Sequence, residues 1–141
     1  MSARVPLGDP AIHSYDLYEL DGSRWKPRIA QTKPFHPNVT RVFEQDYGLV
    51  IRAPHPEHPK RFVLIMAGPH SVGTGAASLA ATHPRLIRQI KDQFGRAPKS
   101  GINLADRSQA WWVLVKGELD RDKNLVPGRI TLVDGGRCEK K

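Results

Sequence analysis

Phe62-Val-Leu-Ile-Met-Ala67, followed by Gly68-Pro-His-Ser-Val-Gly-Thr-Gly75 and Ala76-Ala-Ser-Leu-Ala-Ala81, is the stretch on which the fold turns. An unbroken apolar run stopped by Gly68-Pro69 predicts a strand. The run is apolar at both parities, which predicts a central strand covered on two faces. The alanine-rich end has high helix propensity, so the three parts read as strand, glycine-rich turn and helix. A helix N-terminus presents unpaired backbone N–H groups and a partial positive charge, and glycine lets the backbone approach an anion. The turn is therefore the first candidate site. Gly68, Gly73 and Gly75 form its cradle, Ser71 and Thr74 add hydroxyl donors, and His70 adds a charge or a proton carrier. The spacing matches neither a P-loop, which needs Lys where Ala76 stands, nor the dinucleotide-binding fingerprint. The structural alternative is that the glycines serve a tight turn and close helix packing.

Working outward, Tyr47-Gly-Leu-Val-Ile-Arg-Ala53 is a second strand, stopped by Pro54. The proline-stiffened connection through His55, Glu57 and His58 suits an antiparallel hairpin or a short crossover. A second helix is predicted from Pro84, capped by Thr82 or His83 and closed by Gly95. Leu86, Ile87, Ile90 and Phe94 form its apolar stripe, with Arg85, Arg88 and Asp92 opposite. Ala110–Lys116 and Arg129–Val133 predict an antiparallel strand pair at one edge of the sheet. Before Asp46, Pro6, Pro10, Pro27, Pro34 and Pro37 exclude long helices. One short strand is expected within Ser14–Leu20, and Trp25 and Phe35 are the expected anchors of this arm.

Together these elements predict an α/β domain: a small mixed sheet with helices packed on it and a C-terminal antiparallel strand pair. Residues 1–46 form an extended proline-rich arm, 47–134 the α/β core and 135–141 a mobile tail. The expected core is Leu49, Ile51, Val63, Ile65, Leu79, Ile87, Ile90, Trp112, Leu114, Ile130 and Leu132.

The segment Asp46-Tyr-Gly-Leu-Val-Ile-Arg-Ala-Pro-His through Ala67-Gly-Pro-His-Ser-Val-Gly-Thr-Gly-Ala-Ala77 carries a strand, an Asn-Pro-type turn, a strand and an Ala-Gly-x4-Gly-Thr-x-Ala-Ala helix start. In this it resembles poorly characterised prokaryotic α/β domains, including S-layer-related C-terminal domains. The resemblance implies an α/β sandwich and no established catalytic residues.

The chain has 141 residues and a formal net charge of +8. Basic and acidic residues balance up to Asp46, so the positive excess lies entirely downstream. Such a field attracts phosphates, nucleic acid or anionic surfaces without choosing among them. Arg85 and Arg88, with Lys91, Arg96 and Lys99, concentrate it around the second helix, where they are expected to steer an anion toward the turn. The single cysteine, Cys138, excludes an intramolecular disulfide and a cysteine-based metal site, and points to a reducing compartment. The longest apolar run falls far short of the roughly 20 residues that span a bilayer, so the chain is read as cytoplasmic with no membrane partner. His55, Glu57 and His58 are read as an exposed polar loop, and no metal or cofactor is expected.

These features predict a noncatalytic sensor or interaction domain that binds an anionic group, a nucleotide phosphate among the candidates, at the Gly68–Gly75 turn. Two alternatives stand beside it. Ser71, between strand and helix, has the placement of a hydrolase nucleophile, but its partners would have to come from Asp106, Asp134 or the His55 and His58 loop. The basic helix suits nonspecific nucleic-acid contact, though no recognised reading motif accompanies it.

Overall fold

The computed structural model describes residues 18–21, 24–27, 33–36, 39–96 and 101–138. The expected packing of the arm through Trp25 and Phe35 lies outside what is described. Near the N-terminus β1 (Tyr18–Asp21) and β2 (Arg24–Pro27) pair as a two-stranded antiparallel hairpin. The main sheet contains β3 (Lys33–His36), β4 (Val39–Pro54), β5 (Phe62–Ala67), β6 (Trp111–Leu119) and β7 (Leu125–Arg137). Helices α1 (Ser71–Thr82) and α2 (Pro84–Phe94) lie between β5 and β6 in the chain.

Strand β4 organises the sheet. Its residues Val39–Gln45 pair with β3 and Leu49–Pro54 pair with β5 along one edge. The other edge of Gln45–Arg52 pairs with β6, which in turn pairs with β7. Every one of these pairings is antiparallel, which overturns the mixed sheet and the α/β class. The molecule is a small β-rich domain, and the α/β sandwich implied by residues 46–77 is corrected with it. The reason lies in the placement of β4. Strands β5 and β6, joined through the two helices, do run parallel to each other, but β4 stands between them and makes both contacts antiparallel.

Both helices pack on one face of the sheet. Gly73, Ala76, Ala77 and Ala80 are the buried residues of α1, at the spacing of a single helical face. Opposite them, a Cβ added at Gly117 would lie 2.8 Å from the Ala76 Cβ, so helix and sheet meet through small residues. Helix α2 has its expected form, with His83 as N-cap, Pro84 in the first turn, Gly95 as C-cap, and Leu86, Ile90 and Phe94 buried.

The core has the opposite strand parity from the one expected in β4. Asp46, Gly48, Val50 and Arg52 face the helices, level with Gly117, Val115, Val113 and Trp111 of β6. Leu49, Ile51, Val63, Ile65 and Trp112 lie on the other face, half-buried or exposed, while Leu79 and Ile87 are partly buried at the margin. Ile90, Ile130 and Leu132 are buried in the core as expected, whereas Leu114, though buried, is level with Leu49 on the face away from the helices. Strand β5 is not central. It lies at the edge beside β4, with Phe62 45% and Ile65 48% exposed; a continuous apolar run carries no record of whether a strand is central or at an edge. The C-terminal pair is at the opposite edge, as expected, but β7 continues through Gly135 and Gly136 to Arg137. The ordered sheet therefore takes in the first residues assigned to a mobile tail; residues 139–141 lie outside the described residues.

This parity fixes a stability prediction. Ile65→Ala should cost less than about 1 kcal/mol, whereas Ile90→Ala, truncating a side chain 1% exposed, should cost about 2–5 kcal/mol in urea unfolding. Equal losses would contradict the assigned faces. No helix among the described residues is long and apolar enough to cross a membrane.

Candidate functional site

The glycine-rich turn is largely helix. Its residues from Ser71 onward form the first turns of α1, with His70 as an extended N-cap. The positive end of α1 meets an anion supplied by the chain itself: Asp46, fully buried on β4, accepts the Gly73 N–H through Oδ2 at 2.8 Å. Its Oδ1 stands 3.4 Å from His70 Nδ1. A carboxylate at this position satisfies an otherwise unpaired helical N–H and is favoured by the helix dipole.

The glycines let that contact form. A Cβ at Gly73 would run into the Tyr47 carbonyl oxygen of β4, and one at Gly68 would lie 2.6 Å from the Thr74 nitrogen. At Gly75 it would meet Leu125 Cδ2 at 3.1 Å. All three positions therefore serve close packing. The Thr74 hydroxyl donates back to the His70 carbonyl oxygen at 3.2 Å, inside its own helix. Ser71 is exposed at the first helical position, and His70 Nε2 is buried. Arg85 and Arg88 are exposed on α2, which begins beyond the far end of α1. Since a helix of twelve residues rises about 18 Å, they are not brought to the turn.

The other predicted partners are dispersed as well. Asp106 accepts the Ser108 hydroxyl and backbone N–H, which hold its carboxyl below the usual range against the opposing effect of desolvation. Asp134 accepts the Gly135 N–H. The rings of His55 and His58 lie 4.8 Å apart, centroid to centroid, in the β4–β5 loop. No group of three metal-ligating side chains occurs among the described residues.

A second site went unnoticed in the sequence. Arg52, in the middle of an apolar strand, is only 7% exposed and lies on the helix-facing side of β4. Its Nη1 donates to the Leu104 carbonyl at 2.8 Å and its Nη2 to the Asp106 carbonyl at 2.8 Å. The guanidinium carbon lies 5.3 Å from the ring centroids of both Phe62 and Trp111, a cation–π sandwich. Burial lowers its pKa from the ordinary arginine value, and the Asp106 carboxylate opposes the shift. No carboxylate among the described residues forms an ion pair with it. Beside it a cavity of about 290 Å³ is bounded by β4, β5, β6, the end of α1, the face of α2 and Leu104. The one sequence signal was a charged residue inside the apolar run Leu-Val-Ile-Arg-Ala; its partners in the 103–106 loop are remote in sequence.

Comparison with protein-family models, curated proteins and solved structures gives no match.

Proposed function

We propose that this chain is a noncatalytic binding module for an anionic ligand. The observation that carries the reading is the buried Arg52 guanidinium, bonded to neutral carbonyls and lining an apolar cavity. Burying a cation is costly, the exposed Asp106 carboxylate offsets that cost only in part, and an incoming anion would relieve more of it. The positive net charge further favours anion association. The Gly68–Gly75 turn is the weaker location, since Asp46 already places a carboxylate at the start of α1.

The hydrolase reading lacks its central contact. A serine nucleophile is activated by a histidine Nε2 hydrogen-bonded to its hydroxyl. Here His70 Nδ1 faces Asp46 in the manner of a triad, but no hydrogen bond joins the Ser71 hydroxyl to a histidine among the described residues. A fluorophosphonate probe is expected to leave the protein unlabelled, while a thermal-shift series of inorganic phosphate, nucleotides and small carboxylates should yield a saturable rise. Labelling that disappears in Ser71→Ala would overturn the noncatalytic reading. The single cysteine, Cys138, supports a cytoplasmic assignment as part of this proposal.

A further inference from the structure

We propose that two copies of this chain pair through β5, edge to edge and antiparallel about a two-fold axis at Leu64, so that their sheets join into one. Four of the five large apolar side chains exposed among the described residues lie on this strand: Phe62, Val63, Ile65 and Met66, between 36% and 48% exposed. The strand pairs with β4 in an unbroken register from Phe62 to Ala67. Alternate residues therefore turn their N–H and C=O groups outward, and no strand among the described residues receives them. Edge strands are ordinarily blunted by charge, proline or a bulge. The other edges of this sheet carry such devices: β3 has Lys33, Pro34 and register shifts against β4, and β7 has Pro127, Arg129, Asp134 and register shifts against β6. Strand β5 has none of them.

Self-complementarity selects a second copy as the occupant. A two-fold axis perpendicular to the sheet joins like faces, so residues opposed across it share parity. Centred on Leu64, the pairing sets Phe62 against Met66 and Val63 against Ile65, each twice, and every exposed large side chain of β5 meets another. Centred on Ile65 instead, it would set Phe62 against Gly68 and Val63 against Ala67. Phe62, Leu64 and Met66 lie on the helix side, level with Pro54, Arg52 and Val50, where a ring and a thioether pack well together. On the other face the Val63 and Ile65 pair is of the β-branched kind that stabilises adjacent strands.

Charge and space both permit this arrangement. The charges adjoining the strand are Lys60 and Arg61 at its start, and the antiparallel register holds the two Arg61 residues roughly 20 Å apart, beyond the screening length of about 8 Å at physiological salt. A parallel pairing would bring them together. Helix α1 sits over β4 and β6, where Ala77 meets Gly48 and Ala76 meets Gly117. The two β4 strands would stand three strand spacings apart, about 14 Å, which accommodates two helices side by side at about 8–10 Å.

Pairing through one short strand makes a small interface, so the dissociation constant is expected on the order of tens of micromolar. Sedimentation equilibrium of the full chain over a dilution series should show a reversible monomer to dimer transition. Ile65→Lys and Val63→Glu each place a charge on the strand and should each weaken the dimer at least about tenfold. Because residue 63 of one copy stands opposite residue 65 of the other, an equimolar mixture of the two variants should form a heterodimer of near wild-type affinity. Urea unfolding at concentrations below the dimer range checks that each variant remains folded, and the wild-type series stands without them. A chain that stays monomeric up to about 1 mM overturns the proposal. A dimer that folded Ile65→Lys leaves unchanged places the contact elsewhere and overturns it too. A mixture no stronger than either variant alone overturns the register centred on Leu64, and the proposal with it.

Discussion

Gly73→Ala is expected to destabilise the domain by about 3 kcal/mol or more, through overpacking at a contact that cannot relax locally. The added methyl would press on the Tyr47 carbonyl oxygen and stand 2.6 Å from Asp46 Oδ2. Both belong to β4, which pairs with strands on its two edges and cannot recede without disturbing them. Moving α1 outward would instead stretch the Asp46–Gly73 hydrogen bond and open the alanine seam behind it. Gly48 faces this crossing from the sheet, where a Cβ would strike the Gly73 carbonyl oxygen. Gly128→Ala is the control, because nothing lies within 4 Å of its added Cβ, and it should change stability by no more than about 0.5 kcal/mol. Urea unfolding midpoints at unchanged m-value measure both. A small loss for Gly73→Ala would show that α1 does not seat on β4 as described.

Asp46→Ala should cost about 2–4 kcal/mol, for two reasons that add. The Gly73 N–H would remain buried without its acceptor, and α1 would lose the negative charge at its positive end. Asp46→Asn separates them, since an amide oxygen can still accept the N–H while the charge is gone. Its loss should fall between those of wild type and Asp46→Ala. Equal stability of Asp46→Ala and wild type would mean that water replaces the carboxylate at no cost, and that the helix start is not anchored by β4.

These residues also show where the sequence was legible. Helix α2 was readable because every signal for it is local: Pro84 at its start, a stripe of Leu86, Ile90 and Phe94, and Gly95 at its end. The strand segments from Tyr47 onward were readable for the same reason, whereas β2, β3 and residues 39–46 of β4 fall where only an extended arm with one short strand was read. What failed was the facing of β4. Of its two alternating series, Tyr47, Leu49, Ile51 and Ala53 looks the more apolar, yet the series with Asp46 and Arg52 turns inward. Each polar member is tolerated there through partners supplied by distant segments, the α1 start for Asp46 and the 103–106 loop for Arg52. Periodicity weighs hydrophobicity along one strand and carries no record of such partners. The glycine-rich stretch does join strand to helix, but from Ser71 it is already helix, and a glycine that fits a backbone against a phosphate and one that fits it against another strand look the same in sequence. Ala76 to Ala81 signalled a helix, while the glycines at 73 and 75 concealed its earlier start.

The central position of β4 also governs the order in which the molecule can assemble. Its partners β3 and β5 are neighbours in the chain, whereas Gln45 meets Glu118 and Arg52 meets Trp111 only after the whole helical segment has been traversed. Pairings of such long sequence separation carry a large loop-closure cost and put folding toward the slower, millisecond-to-second regime. During synthesis β4 and β5 emerge with one backbone edge of β4 unclaimed, and β5 presents an apolar outer edge. That intermediate is a template for pairing with other chains. A chain cut after α2 would be caught permanently in this condition, and its fate would be aggregation rather than a smaller stable domain.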